Sequence, residues 1–134
     1  MATAESQRFL LDTHTFLWLA TDPERVRPEV RSRLADASAE VWLSVASIWE
    51  MAIKTSLGKL SLRTPLGELV TAQCEAMSLS LLEVGRAHAL GVESLPFHHR
   101  DPFDRLLVAQ AVSEQLILVS ADASLDAYPI NRLW

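Results

Sequence analysis

The sequence predicts an α/β domain in which a parallel sheet carries helices on both faces. Three observations lead there. Short apolar runs alternate with stretches of helical periodicity along the chain. The runs are too short and too continuous for amphipathic helices and fit strands covered on both sides. A length of 134 residues, 49% of them hydrophobic, suffices for one packed core and leaves no room for a second. The whole chain, 1–134, is therefore read as a single domain.

Residues 1–7 are small and polar and are expected to be flexible. Residues 8–12 (RFLLD) read as a short buried strand ending on an acid. Residues 13–20 read as a helix. Asp22-Pro23-Glu24 opens another, with aspartate as N-cap, proline in the first turn and glutamate favoured by the helix dipole. Val26, Val30 and Leu34 form its inner stripe. Residues 40–44 (EVWLS) give a second strand, and residues 45–57 a helix stopped by Gly58. Thr64-Pro65 opens a helix running to about Met77. Residues 79–84 read as a strand, 86–92 as a short helix and 96–100 as a loop. Asp101-Pro102 opens a helix that ends near Glu114, and residues 116–120 (LILVS) are the clearest strand of all. Residues 131–134 add a last edge strand, which makes about five short strands.

Composition narrows the function. The lone Cys74 forms no intrachain disulfide and no apolar run is long enough to span a bilayer, so a cytoplasmic protein is expected. Only four glycines are present, and neither a dinucleotide fingerprint nor a P-loop can be drawn from them. No G-x-S-x-G elbow appears. The net charge of −5 argues against nucleic acid when taken alone. Clustering changes that reading, since removing four carboxylates from −5 leaves only −1 for the rest of the surface.

In open parallel sheets, sites lie at the carboxyl ends of the strands. Asp12 ends the first strand, and Asp122 follows the 116–120 strand by two residues. Glu50 lies two helical turns after the second strand. Asp101 and Asp104 occupy the first turn of the helix before the 116–120 strand. Carboxylates gathered this way suit hard divalent cations such as Mg²⁺ or Mn²⁺. Such ions can activate water and stabilise a leaving oxygen in phosphodiester hydrolysis. Each acid also has a plainer role. Asp12 can cap the helix after it, and Glu50 stands i, i+4 from Lys54 as an ion pair would. Asp101 is a natural N-cap, with Asp104 placed to complete a variant capping box. Asp122 suits a turn. No single acid is specific, and only the set points to this chemistry.

Four segments, in order, resemble the PIN-domain family, and within it the toxins of the VapBC type. They are Phe9-Leu10-Leu11-Asp12-Thr13-His14, Ser44-Val45-Ala46-Ser47-Ile48-Trp49-Glu50, the stretch from Asp101 to Ala111, and Leu118-Val119-Ser120-Ala121-Asp122. The resemblance covers nearly the whole chain. It implies a three-layer α/β/α fold, with Mg²⁺ (Mn²⁺ substituting) held by Asp12, Glu50, Asp104 and Asp122 as catalytic residues. It implies endoribonuclease activity as the toxin of a type II toxin–antitoxin module, and a VapB-like antitoxin that blocks the pocket. It also implies a homodimer. The fourth segment departs from many relatives, which carry a basic residue where Ala121 stands.

Among the cations, Arg100, Arg105 and Lys54 are the first candidates for RNA phosphate contacts, followed by Lys59 and Arg86. Thr13 and Ser44 could orient water in the site or serve as cap and strand-end hydroxyls, and Asp101 could support the acids from behind. His98 and His99 complete no zinc spacing and are expected to be loop residues beside the substrate path. Trp18, Trp42 and Trp49 lie in apolar patterns and are read as core or interface. Two other readings remain. An aspartyl phosphotransferase at Asp12 lacks the usual second acid two residues on, where His14 stands. A non-catalytic RNA- or protein-binding module would have no reason to keep the full acid set.

Overall fold

The computed structural model describes residues 7–134. The flexibility expected for residues 1–7 therefore lies outside the described residues, except at Gln7. That residue is pinned: its carbonyl accepts from Glu40 N at 2.8 Å and its side chain from Arg33 at 2.7 Å.

The elements run β1 (Arg8–Leu11), α1 (Thr13–Thr21), α2 (Pro28–Ala35), β2 (Glu40–Ser44), α3 (Val45–Ser56), α4 (Leu66–Met77), β3 (Ser80–Leu82), α5 (Arg86–Gly91), α6 (Pro102–Glu114), β4 (Ile117–Val119) and β5 (Arg132–Leu133). Short 3₁₀ turns cover Pro23–Arg25, Val92–Ser94 and Ala123–Ala127. All five strands are parallel, in the order β3-β2-β1-β4-β5.

Burial explains the three layers. Phe9 and Leu11 of β1 face a core shared with Phe16 of α1, Val30 and Leu34 of α2, Met51 of α3 and Val70 of α4. Leu10 points to the opposite face and packs with Leu107, Val108 and Ala111 of α6 and with Leu118 of β4. A strand covered on both sides has no polar face to show, which is why β1 reads as an unbroken apolar run.

One element differs from expectation. The helix predicted from Asp22 is split into a 3₁₀ turn at Pro23–Arg25 and α2 from Pro28, and Asp22 makes no side-chain cap. The cause is Pro28, whose ring pushes Arg27 into an extended conformation, with φ −56° and ψ 141°. Val26, Val30 and Leu34 are buried nonetheless.

Candidate metal centre

The chain leaves β1 toward β2 and β3 on one side, while β4 and β5 lie on the other. The crevice between the carboxyl ends of β1 and β4 is thus the switch point where such sheets bind ligands. Asp12 stands at its floor. Its backbone N–H donates to Val119 O at the end of β4, at 3.0 Å. It is also the N-cap of α1, with Oδ1 accepting from Thr15 N at 2.8 Å. Its Oδ2 makes no hydrogen bond among the described residues.

α3 begins where β2 ends, capped by Ser44, whose hydroxyl accepts from Ala46 N. Two turns on, Glu50 is only 3% exposed. One of its oxygens accepts from Thr13 Oγ1 at 2.6 Å and the other from Lys54 Nζ at 2.6 Å. The ion pair read from the sequence therefore forms, but on a buried acid beside Asp12. Thr13 couples the two segments, since its hydroxyl also meets Ser47 Oγ at 2.9 Å.

α6 is capped by Asp101, which accepts from Phe103 N and Asp104 N. The reciprocal half of a capping box is missing among the described residues, so the Asp104 carboxylate remains free to turn to the crevice. Its pKa is raised to about 7. Desolvation is the leading cause, followed by the charges of Asp101 and Asp12, with Glu50 adding less and His99 opposing. Asp104 thus feels three other acids: Asp101 at the start of its own helix, Asp12 after β1 and Glu50 of α3. Asp122 is exposed and caps the last 3₁₀ turn, and hydrogen bonds from Ser124 hold its carboxyl below the usual range.

The sequence did not single out His99 for this crevice. Its Nε2 lies 3.5 Å from Asp104 Oδ2 and 3.3 Å from Asp122 Oδ2. Ligating atoms of these three residues all fall within 4.8 Å of one another, a group that Asp12 and Glu50 do not join. His98 is not part of that group and lies edge-on to Tyr128 at 5.3 Å.

Arg105 requires a correction. It is 7% exposed, and its guanidinium donates to the carbonyls of Val92, Leu95 and Pro96 and to the Tyr128 hydroxyl. Those bonds fasten the loop that carries His99 and leave Arg105 no role at a phosphate. Arg100 is exposed on that loop. Of the core-or-interface reading of Trp49, only the core half fails: the ring is 60% exposed, edge-on to Phe103 at 5.4 Å.

Beside the acids opens a groove of about 780 Å³. It meets the crevice at Thr13 and Lys54, and Arg25, Lys59 and Arg63 line it with no carboxylate. Arg25 stacks over Trp18 at 4.5 Å. Of these cations, Lys54 and Lys59 were anticipated from the sequence, and Arg25 and Arg63 were not.

Fold and site together define an α/β protein with a carboxylate-rich crevice of the kind that holds hard cations. The profile of the PIN domain family matches residues 9–131, and the chain belongs to that family. Its fold is similar to that of VapBC2 from Rickettsia felis bound to a DNA fragment from their promoter, with a TM-score of 0.74 at 12% identity, covering 95% of this chain and 98% of that one. It is also similar to VapBC-1 from nontypeable Haemophilus influenzae (TM-score 0.62, 14% identity, 95% and 97% covered). A third is FitAcB from Neisseria gonorrhoeae (TM-score 0.60, 18% identity, 94% and 96% covered). No curated protein matches the sequence. No helix among the described residues is long and apolar enough to cross a membrane.

Proposed function

We propose that this PIN-domain protein is a metal-dependent endoribonuclease, the toxin of a type II toxin–antitoxin pair, acting in the cytoplasm. The observation that supports the reading is Asp104, pushed to about 7 by burial and by the charges of Asp101, Asp12 and Glu50, with Asp122 reaching the same histidine, His99, as Asp104 does. Such crowding is costly unless a cation relieves it, and the donors are mainly carboxylate oxygens, so the residues fit Mg²⁺ or Mn²⁺. A divalent cation supplies there an activated water and stabilises charge on the phosphate and the departing 3′ oxygen.

The chain's own groups do the rest. Thr13 aims Glu50, and the Asp12 cap bond fixes the orientation of that carboxylate. The groove cations Arg25, Lys59 and Arg63, with Lys54 at its mouth, neutralise phosphates of the strand leading to the crevice. The same groove, part apolar, gives an antitoxin segment a place to lie over the acids. The likeness in fold to VapBC2 and VapBC-1 supports this partner, and a homodimer is expected from the family resemblance alone.

The test is incubation of antitoxin-free protein with total RNA and defined tRNAs, in Mg²⁺, Mn²⁺ or excess EDTA, beside Asp12→Ala. Discrete cleavage that needs metal and is lost in the variant supports the reading. Undiminished cleavage by Asp12→Ala sinks it. No cleavage together with no divalent binding by calorimetry would favour a non-catalytic binding module.

A further inference from the structure

We propose that His99 is itself a metal ligand. With Asp104 and Asp122 it forms a nitrogen-and-oxygen site that takes a first-row transition ion such as Mn²⁺ in preference to Mg²⁺. The inference rests on the reading of the crevice as a metal centre and adds to it a ligand and a selectivity.

The geometry leaves room for an ion shared by the three side chains. A charge-assisted N–H···O bond closes to about 2.7–2.9 Å. His99 Nε2 stands 3.3 and 3.5 Å from two carboxylate oxygens, shared between them rather than closed on either one. Ligands about 2.1–2.2 Å from one octahedral ion stand about 3 Å apart when adjacent and about 4.3 Å apart when opposite. The two nitrogen–oxygen separations lie near the adjacent-ligand distance, and all three ligating atoms fall within 4.8 Å of one another.

The ring is held there by the fold. Buried Arg105 grips the carbonyls of Val92, Leu95 and Pro96, which fixes the loop just before His99. Tyr128, which accepts from Arg105 at 3.3 Å, lies edge-on to the His99 ring at 6.4 Å. The three ligands come from a loop, a helix start and a strand end, so only the folded chain assembles them. Imidazole nitrogen is a poor partner for hard Mg²⁺ and a good one for transition ions, which is the source of the selectivity.

The experiment uses the full chain, stripped with EDTA and dialysed, then titrated separately with Mn²⁺ and Mg²⁺ by calorimetry. Pulsed EPR is recorded on the Mn²⁺ complex. The expected results are a ¹⁴N coupling from a directly bound imidazole and Mn²⁺ binding at least tenfold tighter than Mg²⁺. His99→Gln should lose the ¹⁴N coupling and most of the preference, and His98→Gln should keep both. A wild-type Mn²⁺ spectrum without ¹⁴N coupling overturns the inference while the metal-centre reading stands, and it needs no variant to fold. A coupling that survives in His99→Gln overturns it likewise. If neither ion binds the wild type, the inference and the metal centre fall together.

Discussion

Replacing Asp104 by asparagine raises the stability of the protein at pH 8 in EDTA and ends its response to divalent metal. The wild-type carboxyl titrates near 7 in the folded chain against 3.8 for the free side chain, chiefly through burial and then through its acidic neighbours. Between those values the folded state keeps a proton that the unfolded state has released. Stability from this group is therefore full below about pH 4 and is lost as pH rises through 7. Three units correspond to about 4 kcal/mol. With the side chain 29% exposed, solvent screening brings this to about 2 kcal/mol. Asparagine removes the charge at nearly constant volume. It also forfeits a favourable helix-dipole interaction at the start of α6, worth at most about 1 kcal/mol. The net gain is about 1–2 kcal/mol, or roughly 4–7 °C in Tm for a chain of this length. Thermal melts in EDTA at pH 8 and pH 4.5 check it: the variant should melt higher at pH 8, and the gap should shrink toward zero at pH 4.5. Added Mn²⁺ should stabilise the wild type and leave the variant unmoved. A variant that melts at or below the wild type at pH 8 would refute the crowding of carboxylates on which the site rests.

Other consequences can be checked on the same material. Asp12→Asn keeps a cap acceptor for Thr15 N and should stay within about 0.5 kcal/mol of wild type in urea, whereas Asp12→Ala should lose about 1 kcal/mol. Both should cut metal-dependent RNA cleavage by about 100-fold or more. Thr13→Val deprives Glu50 of its hydroxyl donor and should cost about 1–2 kcal/mol by chemical denaturation, with weaker Mn²⁺ binding in calorimetry. Arg105→Ala should cost about 2–4 kcal/mol by unfastening the 95–99 loop, without altering the salt dependence of RNA binding. Lys59→Ala and Arg63→Ala should do the reverse. Their melts should stay near wild type while the slope of log K against log salt falls by about 0.7 per charge, measured by fluorescence anisotropy with single-stranded RNA.

The position of Asp12 was legible because β1 shows as an apolar run and Asp12 is the first polar residue after it, whereas Glu50 and Asp122, set further past β2 and β4, stood out only as members of the set. Arg105 was misread although the helix pattern contains its fate. It stands three residues before Val108 and four before Ala109, on the buried face of α6. Trp49 follows the same logic in reverse: Ala46, Ser47, Glu50 and Met51 mark the inner face of α3, and residue 49 falls outside it. The break before Pro28 was also in the sequence, through the restriction proline places on Arg27. His99 was legible as a loop residue beside the substrate path, but its contact with Asp104 and Asp122 was not. Its place depends on a loop whose path is set by bonds from Arg105 and by Tyr128, more than twenty residues further along the chain. The basic groove gathers residues from two separated segments, 13–25 and 51–69, for the same reason.

The central claim is that the acid cluster directs a metal-assisted hydrolysis of RNA, and the chemistry of the cut ends tests it most directly. A defined RNA cleaved in Mg²⁺ or Mn²⁺ should yield 5′-phosphate and 3′-hydroxyl ends, read by phosphatase-dependent labelling and mass spectrometry, with no product in EDTA. Fragments ending in 2′,3′-cyclic phosphate, formed equally in EDTA and by Asp12→Asn, would contradict the account.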